Sequence, residues 1–212
     1  ILSKPNRFEY SNGLNLVDKS ISSIIQHKID NDLRYVGYEK AIEIIEETVS
    51  KFVTKKGIYL DELISEGIFS KNLFWKDKED YEEGIYLAYE RFEDHLLCKY
   101  LLEKYPNLES EFKVGGNLFK YIKEENDLYF NKGLIDAFSI QIPEKSGKEF
   151  YELVPHLKDN YSIIESFVES LVWRKVETIN ENSEDYINNI VFSFKGTYDL
   201  FWETILAVTS IP

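Results

Sequence analysis

Arg91, Asp94 and His95 are the residues whose types and spacing could most readily do chemistry. They lie in the stretch YLAYERFEDHLLCKYLLEKY, residues 86 to 105. On a helix, positions i, i+3 and i+4 form one patch of surface, so a cation, a carboxylate and an imidazole would be neighbours. Asp94 and His95 could then exchange protons in a hydrolase, although no nucleophile stands at a suitable spacing.

The alternative interpretation of this stretch is structural. Residues 90 to 104 read as one helix with a wide apolar stripe, to which Phe92 and Leu96 belong. Polar groups in the first turn of a mostly buried helix must be hydrogen-bonded. Arg91 would bind Asp94 or a nearby carbonyl, and Phe92, Asp94, His95 and Leu96 would form a structural joint.

Composition restricts the classes of function. The chain has 212 residues, of which 38 are acidic and 25 basic, for a net charge of −13. This charge disfavours binding to nucleic acid. A single cysteine excludes an intramolecular disulfide and favours a reducing compartment. No apolar run is long enough to cross a bilayer, so we expect a cytoplasmic protein that does not bind membranes.

Common catalytic and metal-binding motifs are missing from the sequence. The Gly115–Gly116 pair is not followed by the Lys-Ser/Thr of a phosphate-binding loop, and neither GxSxG nor HExxH occurs. The histidines His27, His95 and His156 share no ligand spacing. The sequence therefore predicts no catalytic residue and no metal site in this chain.

The order of elements predicts a mainly α-helical fold. Amphipathic helices over 16–29, 38–52 and 60–65 precede two aromatic and β-branched runs that flank the polar residues 76–83, which indicates a β-hairpin. Helices followed by a hairpin form a winged-helix-like module. The predicted domains are a lead-in and linker helix over 1–34, the winged-helix-like module over 35–88, and a helical stack over 89–212 whose helix lengths suit a solenoid-like arrangement.

Two boundaries in the helical stack are predicted from local signals. A helix over 133–141 should end before Pro143, because proline disrupts the helix interior. Ser162 and Glu165 match a capping box, which predicts that the next helix opens at Ser162.

Two further functions remain open at this stage. A winged helix could be a DNA-binding regulator, but its recognition segment, residues 60–66, carries three acids and no base. The chain could also be a freestanding helical adaptor that binds a protein through exposed aromatics such as Phe74, Trp75 and Trp202.

The stretch from Tyr89 to Leu101 resembles the helix that follows the winged-helix domain in STAND-class NTPases, including NACHT-type ones. In that family the hairpin strand continues into a pattern like F-x-H-x-x-F-x-E-Y-x-A-A-x-Y-L. The matching or similar positions are Phe92, Asp94, Leu96, Tyr100 and Leu101. Residues 131–144, 169–174 and 202–208 also resemble the large bacterial antiphage STAND ATPases of the AVAST type.

The resemblance implies a layout of nucleotide-binding core, winged helix, helical region and C-terminal sensor. This chain would be the two middle parts, a regulatory region that couples nucleotide state to the sensor in antiphage defence. The chain starts at Ile1 and contains no methionine, so we expect it to be a piece of a longer protein. ATP or ADP and Mg²⁺ would bind the parent protein, whose upstream core and downstream sensor would be the partners, with homo-oligomer formation on activation.

Two residues are candidates for contact with that nucleotide. In many relatives a winged-helix histidine contacts the β-phosphate and holds the resting state, and Tyr89 occupies the corresponding position here. A tyrosine hydroxyl donates one hydrogen bond but carries no positive charge at neutral pH. Arg91 is a permanent cation suited to phosphate and could substitute for the histidine.

Overall fold

The computed structural model describes residues 15–50, 59–77 and 80–209. The chain forms two compact units, residues 1–97 and 98–212. The predicted lead-in over residues 1–13 lies outside the described residues. The predicted boundaries at residues 34/35 and 88/89 stay predictions.

The described residues contain eleven α-helices and three strands. The helices are α1 (Leu16–Asn31), α2 (Tyr38–Val49), α3 (Tyr59–Ser65), α4 (Glu90–Lys104), α5 (Leu108–Glu111), α6 (Glu125–Phe130), α7 (Lys132–Ser146), α8 (Phe150–Leu153), α9 (Tyr161–Trp173), α10 (Glu181–Asn189) and α11 (Lys195–Thr209). The strands are β1 (Val36–Gly37), β2 (Phe69–Asp77) and β3 (Asp80–Leu87). Short 3₁₀ turns occupy Phe119–Tyr121, Pro155–Leu157, Val176–Thr178 and Val191–Ser193. The predicted fold class, mainly helical with a winged-helix-like module and a helical stack, is confirmed.

The first unit has the element order α1-β1-α2-α3-β2-β3, followed by the first half of α4. Its antiparallel sheet has the strand order β1-β3-β2, so the short β1 pairs with the second strand of the hairpin through Val36 and Ile85. Both side chains are fully buried. Strand β1 therefore adds a third strand to the sheet, on the side of β3 opposite to β2.

Apolar residues at helical spacing explain why α1 and α2 form and pack together. Ala41 and Ile45 are buried on one face of α2, and Ile24 and Ile25 are buried on α1. Burying such side chains stabilises a fold by about 1.5 to 3 kcal/mol each. The Asn15 side chain caps α1 by accepting the backbone N–H of Asp18 at 3.1 Å.

The hairpin is longer than the sequence pattern predicted. Residues 76–83 were expected to form a polar turn, but β2 continues to Asp77 and β3 begins at Asp80. The rings of Trp75 and Tyr81 lie 3.9 Å apart across the strands. Cross-strand aromatic pairs of this kind stabilise a hairpin, and so the polar residues extend the strands.

Aromatic packing also fixes the inner part of the hairpin. The Tyr35 ring stacks on the Phe74 ring at 4.0 Å, directly against Gly84 of β3. A β-carbon at Gly84 would overlap the Tyr35 ring and lie 2.8 Å from a Phe74 ring carbon. Glycine is therefore required by the close approach of these two rings.

The second unit is built around α7 and α9, which pack against each other. Residues 134–140 of α7 are buried without interruption. Phe112, Phe138 and Phe150 form an aromatic cluster with ring centroids 5.2 to 5.6 Å apart. A helix that is buried on nearly all sides belongs to the centre of its unit.

Both predicted boundaries in this unit are wrong. Helix α7 does not stop before Pro143 but continues to Ser146 and ends at Gly147, whose φ is +71°. Ile142 and Pro143 are buried, and their packing offsets the backbone hydrogen bond that proline removes. Helix α9 opens at Tyr161, because the Asn160 side chain accepts the Ser162 N–H at 2.9 Å and is the cap.

No helix in the described part of the chain has the length and hydrophobicity that a bilayer-spanning segment needs.

Candidate functional site at the start of α4

The start of α4 places two candidate residues at the protein surface. The Ala88 N–H donates to the Ile68 carbonyl at 3.0 Å, which ends the sheet, and α4 begins two residues later. Tyr89 is 73% exposed, and Arg91 is also exposed. Tyr89 directly precedes α4 and Arg91 belongs to its first turn, so a ligand held by another domain could reach both side chains.

Glu93 is the residue that fixes this turn, and sequence reasoning missed it. The residue is buried, and its carboxylate uses both oxygens. Oε2 accepts the Leu87 N–H at 2.7 Å, and Oε1 forms an ion pair with Nζ of Lys28. One side chain thus ties α4 to the end of β3 and to α1.

Lys28 is buried as completely as its partner. Burial lowers its pKa from 10.5 to about 8, because a charged ammonium is costly outside water. The negative charge of Asp94 acts in the opposite direction and raises the pKa. The ammonium is therefore still mostly protonated at neutral pH and can hold the Glu93 carboxylate.

The four residues of the predicted joint have different environments. Asp94, His95 and Leu96 are half-buried. Phe92 is 51% exposed and does not belong to the buried stripe of α4, contrary to the sequence interpretation. The predicted contact between Arg91 and Asp94 stays a prediction.

The buried stripe of α4 runs through Glu93, Cys98, Leu101 and Leu102. Glu93 and Leu101 are two helical turns apart and lie on the same face. This spacing was the available signal that Glu93 is buried. The neighbouring Arg91, Asp94 and His95 carry the more reactive groups, so the sequence pattern alone assigns the polar role to them.

Helix α3 occupies the position of a recognition helix and is acidic. Asp61 is exposed and accepts a hydrogen bond from the Tyr38 hydroxyl at 2.5 Å. This hydrogen bond is the main reason that the pKa of Tyr38 rises to about 12. Carboxylates accept hydrogen bonds and repel phosphates, so this face is poorly suited to a DNA groove.

The second unit contains a buried ion pair whose residue types also occur in catalytic sites. Arg174 donates two hydrogen bonds to Glu149, at 2.6 and 2.7 Å, and both side chains are almost completely inaccessible. The Ser183 hydroxyl also donates to Glu149, and the Arg174 guanidinium lies over the Phe167 ring at 5.5 Å. The arrangement joins α8, α9 and α10, and no substrate can reach it.

A second polar cluster lies between α7 and α9. Asp136 accepts hydrogen bonds from Lys132 at 2.5 Å and from the buried Ser166 hydroxyl at 2.6 Å. Lys132 also lies 3.4 Å from Glu165. Because one ammonium pairs with both carboxylates, the cluster is an ion-pair network that keeps an excess of negative charge. No group of three or more potential metal ligands occurs among residues 15–50, 59–77 and 80–209.

Comparisons with protein-family models, with curated proteins and with solved structures find no match to this chain.

Proposed function

We propose that this chain is a non-catalytic regulatory region of a STAND-type ATPase that acts in antiphage defence. It couples the nucleotide state of an upstream core to a downstream sensor in the cytoplasm. The observation that carries the proposal is the connection between β3 and α4. There, a winged-helix-like unit continues directly into the helix that resembles the family, with Tyr89 exposed just before the helix and Arg91 exposed in its first turn.

The mechanism is conformational. In the resting state the winged-helix-like unit packs on the core, and Tyr89 and Arg91 face the bound nucleotide. An arginine forms bidentate hydrogen bonds with phosphate oxygens, and a tyrosine hydroxyl adds one more. Binding of a viral protein to the sensor favours a second arrangement of the domains and releases these contacts.

The buried contacts of Glu93 support this mechanism. A side chain that contacts nucleotide can transmit force only if it belongs to a rigid secondary-structure element. Lys28 and the Leu87 N–H hold Glu93 and so fix the first turn of α4 relative to α1 and β3. A change at the exposed face of this turn would therefore move the winged-helix-like unit as a body.

The test uses the full-length parent protein loaded with a fluorescent ADP analogue. Arg91→Ala should raise the rate of ADP release by about 10-fold or more, since a hydrogen bond to a charged group contributes about 1.5 to 3 kcal/mol. Arg34→Ala is the matched control, because Arg34 is exposed in the same unit and lies outside α4. Equal release rates for the two variants would contradict the assigned role of Arg91.

A freestanding protein-binding adaptor is the second candidate function. It is favoured by the exposure of Trp75, which is 63% exposed and packs against Tyr81 near the end of the hairpin. Phe74 does not support it, because this ring is half-buried against Tyr35. A gene that encodes no nucleotide-binding core upstream of this chain would favour the adaptor.

A further inference from the structure

Helix α11 and the residue directly before it, Phe194, carry exposed aromatic side chains. Phe194, Tyr198 and Trp202 follow one another at intervals of four residues and are 55%, 44% and 43% exposed. We refer to these three residues as the aromatic row. Tyr198 and Trp202, four residues apart within α11, form a ridge along the helix, and such a ridge fits into the groove of a second helix.

The aromatic row is held in place by the residues beneath it. The Phe192 ring lies 5.2 Å from Tyr198 and is nearly parallel to Trp202 at 6.4 Å, with an interplanar angle of 14°. The buried Thr197 hydroxyl donates to the Val191 carbonyl at 2.5 Å and so anchors the start of α11. A partner would therefore meet rings that are already ordered, which lowers the entropic cost of binding.

Acidic residues accompany the aromatic row on one side. Asp199 and Glu203 directly follow Tyr198 and Trp202 in sequence, and both are exposed. Within the part of the chain that the structure describes, neither carboxylate has an ion-pair partner. We refer to these two residues as the acidic row. The row leaves two negative charges beside an apolar ridge.

We propose that this surface binds an amphipathic helix that carries lysine or arginine along one side of its apolar stripe. The four-residue ridge fits a helix, which is a common mode of peptide recognition. The acidic row selects the cationic partner by charge complementarity. A second copy of this chain is a poorer fit, because it would bring a second acidic row to the same surface.

Three synthetic peptides of about 18 residues, five helical turns, provide the test. They share one leucine stripe and differ only in its flanking row, which is lysine, glutamine or glutamate, and their binding is measured by fluorescence anisotropy. The lysine peptide should bind about tenfold more tightly than the glutamine peptide, since each exposed ion pair adds only a few-fold. The glutamate peptide should bind least, and equal affinity for all three would overturn the proposal.

Substitutions in the chain test whether the peptides bind at the aromatic row and the acidic row. Tyr198→Ala/Trp202→Ala should abolish binding of the lysine peptide. Asp199→Lys/Glu203→Lys should invert the preference towards the glutamate peptide. Glu103→Lys/Glu177→Lys changes the net charge by the same amount at exposed positions outside α11 and should keep the lysine preference.

Three outcomes would overturn the proposal. The first is a loss of the lysine preference in both charge variants, which would mean that the overall charge alone attracts the peptide. The second is unchanged binding after the aromatic substitutions, with the helical circular dichroism spectrum retained. The third is dimer formation by the chain through this surface, measured by light scattering, because the occupant would then be a second copy.

Discussion

The contact between Lys28 and Glu93 gives the sharpest prediction about the first unit. Both side chains are buried, and the Glu93 carboxylate also accepts the Leu87 N–H at 2.7 Å. Glu93→Gln keeps an oxygen that can accept this N–H but removes the charge that faces the ammonium. Lys28→Met removes the ammonium and leaves the carboxylate buried. The double variant Lys28→Met/Glu93→Gln contains neither charge.

The magnitudes follow from the cost of a buried charge without its partner. Each single variant should lower the free energy of unfolding of the first unit by about 3 kcal/mol, at the low end of the range for broken buried ion pairs. This is a large fraction of the about 5 to 15 kcal/mol that stabilises a typical domain. The double variant should lie within about 1 kcal/mol of the parent, because an apolar side chain and an amide replace the pair.

The assay is urea unfolding followed by the fluorescence of Trp75, the tryptophan of the first unit. Trp173→Phe and Trp202→Phe in the reference protein remove the signal of the second unit, and both indoles are exposed. With a urea dependence of about 1 to 2 kcal/mol per molar, a loss of 3 kcal/mol lowers the midpoint by about 1.5 to 3 M. Single losses below about 1 kcal/mol, or a double variant as unstable as the sum of the two, would refute the reasoning.

Three further predictions concern packing and ionisation. Arg174→Met leaves the Glu149 carboxylate buried without its cation, so the second unit should lose about 3 to 5 kcal/mol in urea unfolding. Gly84→Ala places a β-carbon in the Tyr35 ring and should lower the thermal unfolding midpoint, by an amount that corresponds to about 1 to 3 kcal/mol. Burial raises the pKa of Tyr186, so the folded chain keeps a proton that the unfolded chain loses near pH ~10. Stability should fall above that pH, and Tyr186→Phe should reduce the fall.

Each of these predictions has a control. Glu149→Gln/Arg174→Met should recover most of the stability that Arg174→Met loses, and failure to recover it would mean that packing dominates. Gly84→Ala with Tyr35→Ala should lose less than the two changes added separately. A pH profile that Tyr186→Phe leaves unchanged would show that other groups cause the alkaline loss.

Local patterns were sufficient to predict most of the first unit. The spacing of Ala41, Ile45 and Val49 specifies α2, and two aromatic runs specify the hairpin. Strand β1 has only two residues and shows no periodicity. Its existence depends on the pairing of Val36 with Ile85, which are distant in sequence. Local signals could not reveal that contact.

Only part of the candidate site was predictable from the sequence, because local patterns do not reveal contacts between residues that are distant in sequence. The positions of Tyr89 and Arg91 at the start of a helix follow from the local pattern. The role of Glu93 depends on Lys28, which lies on another element far away in sequence. The pattern also failed at Pro143, where burial of the surrounding helix outweighs the local preference of proline.

The central proposal, that this chain regulates a STAND-type ATPase, is tested most directly by the sequence encoded immediately upstream of Ile1. The proposal predicts a Walker-type loop, GxxxxGK[ST], on a strand–loop–helix segment in the same reading frame. The parent protein should then bind ATP through that loop, and this chain alone should not hydrolyse ATP. A reading frame without such a loop, or ATP hydrolysis by this chain alone, would contradict the proposal.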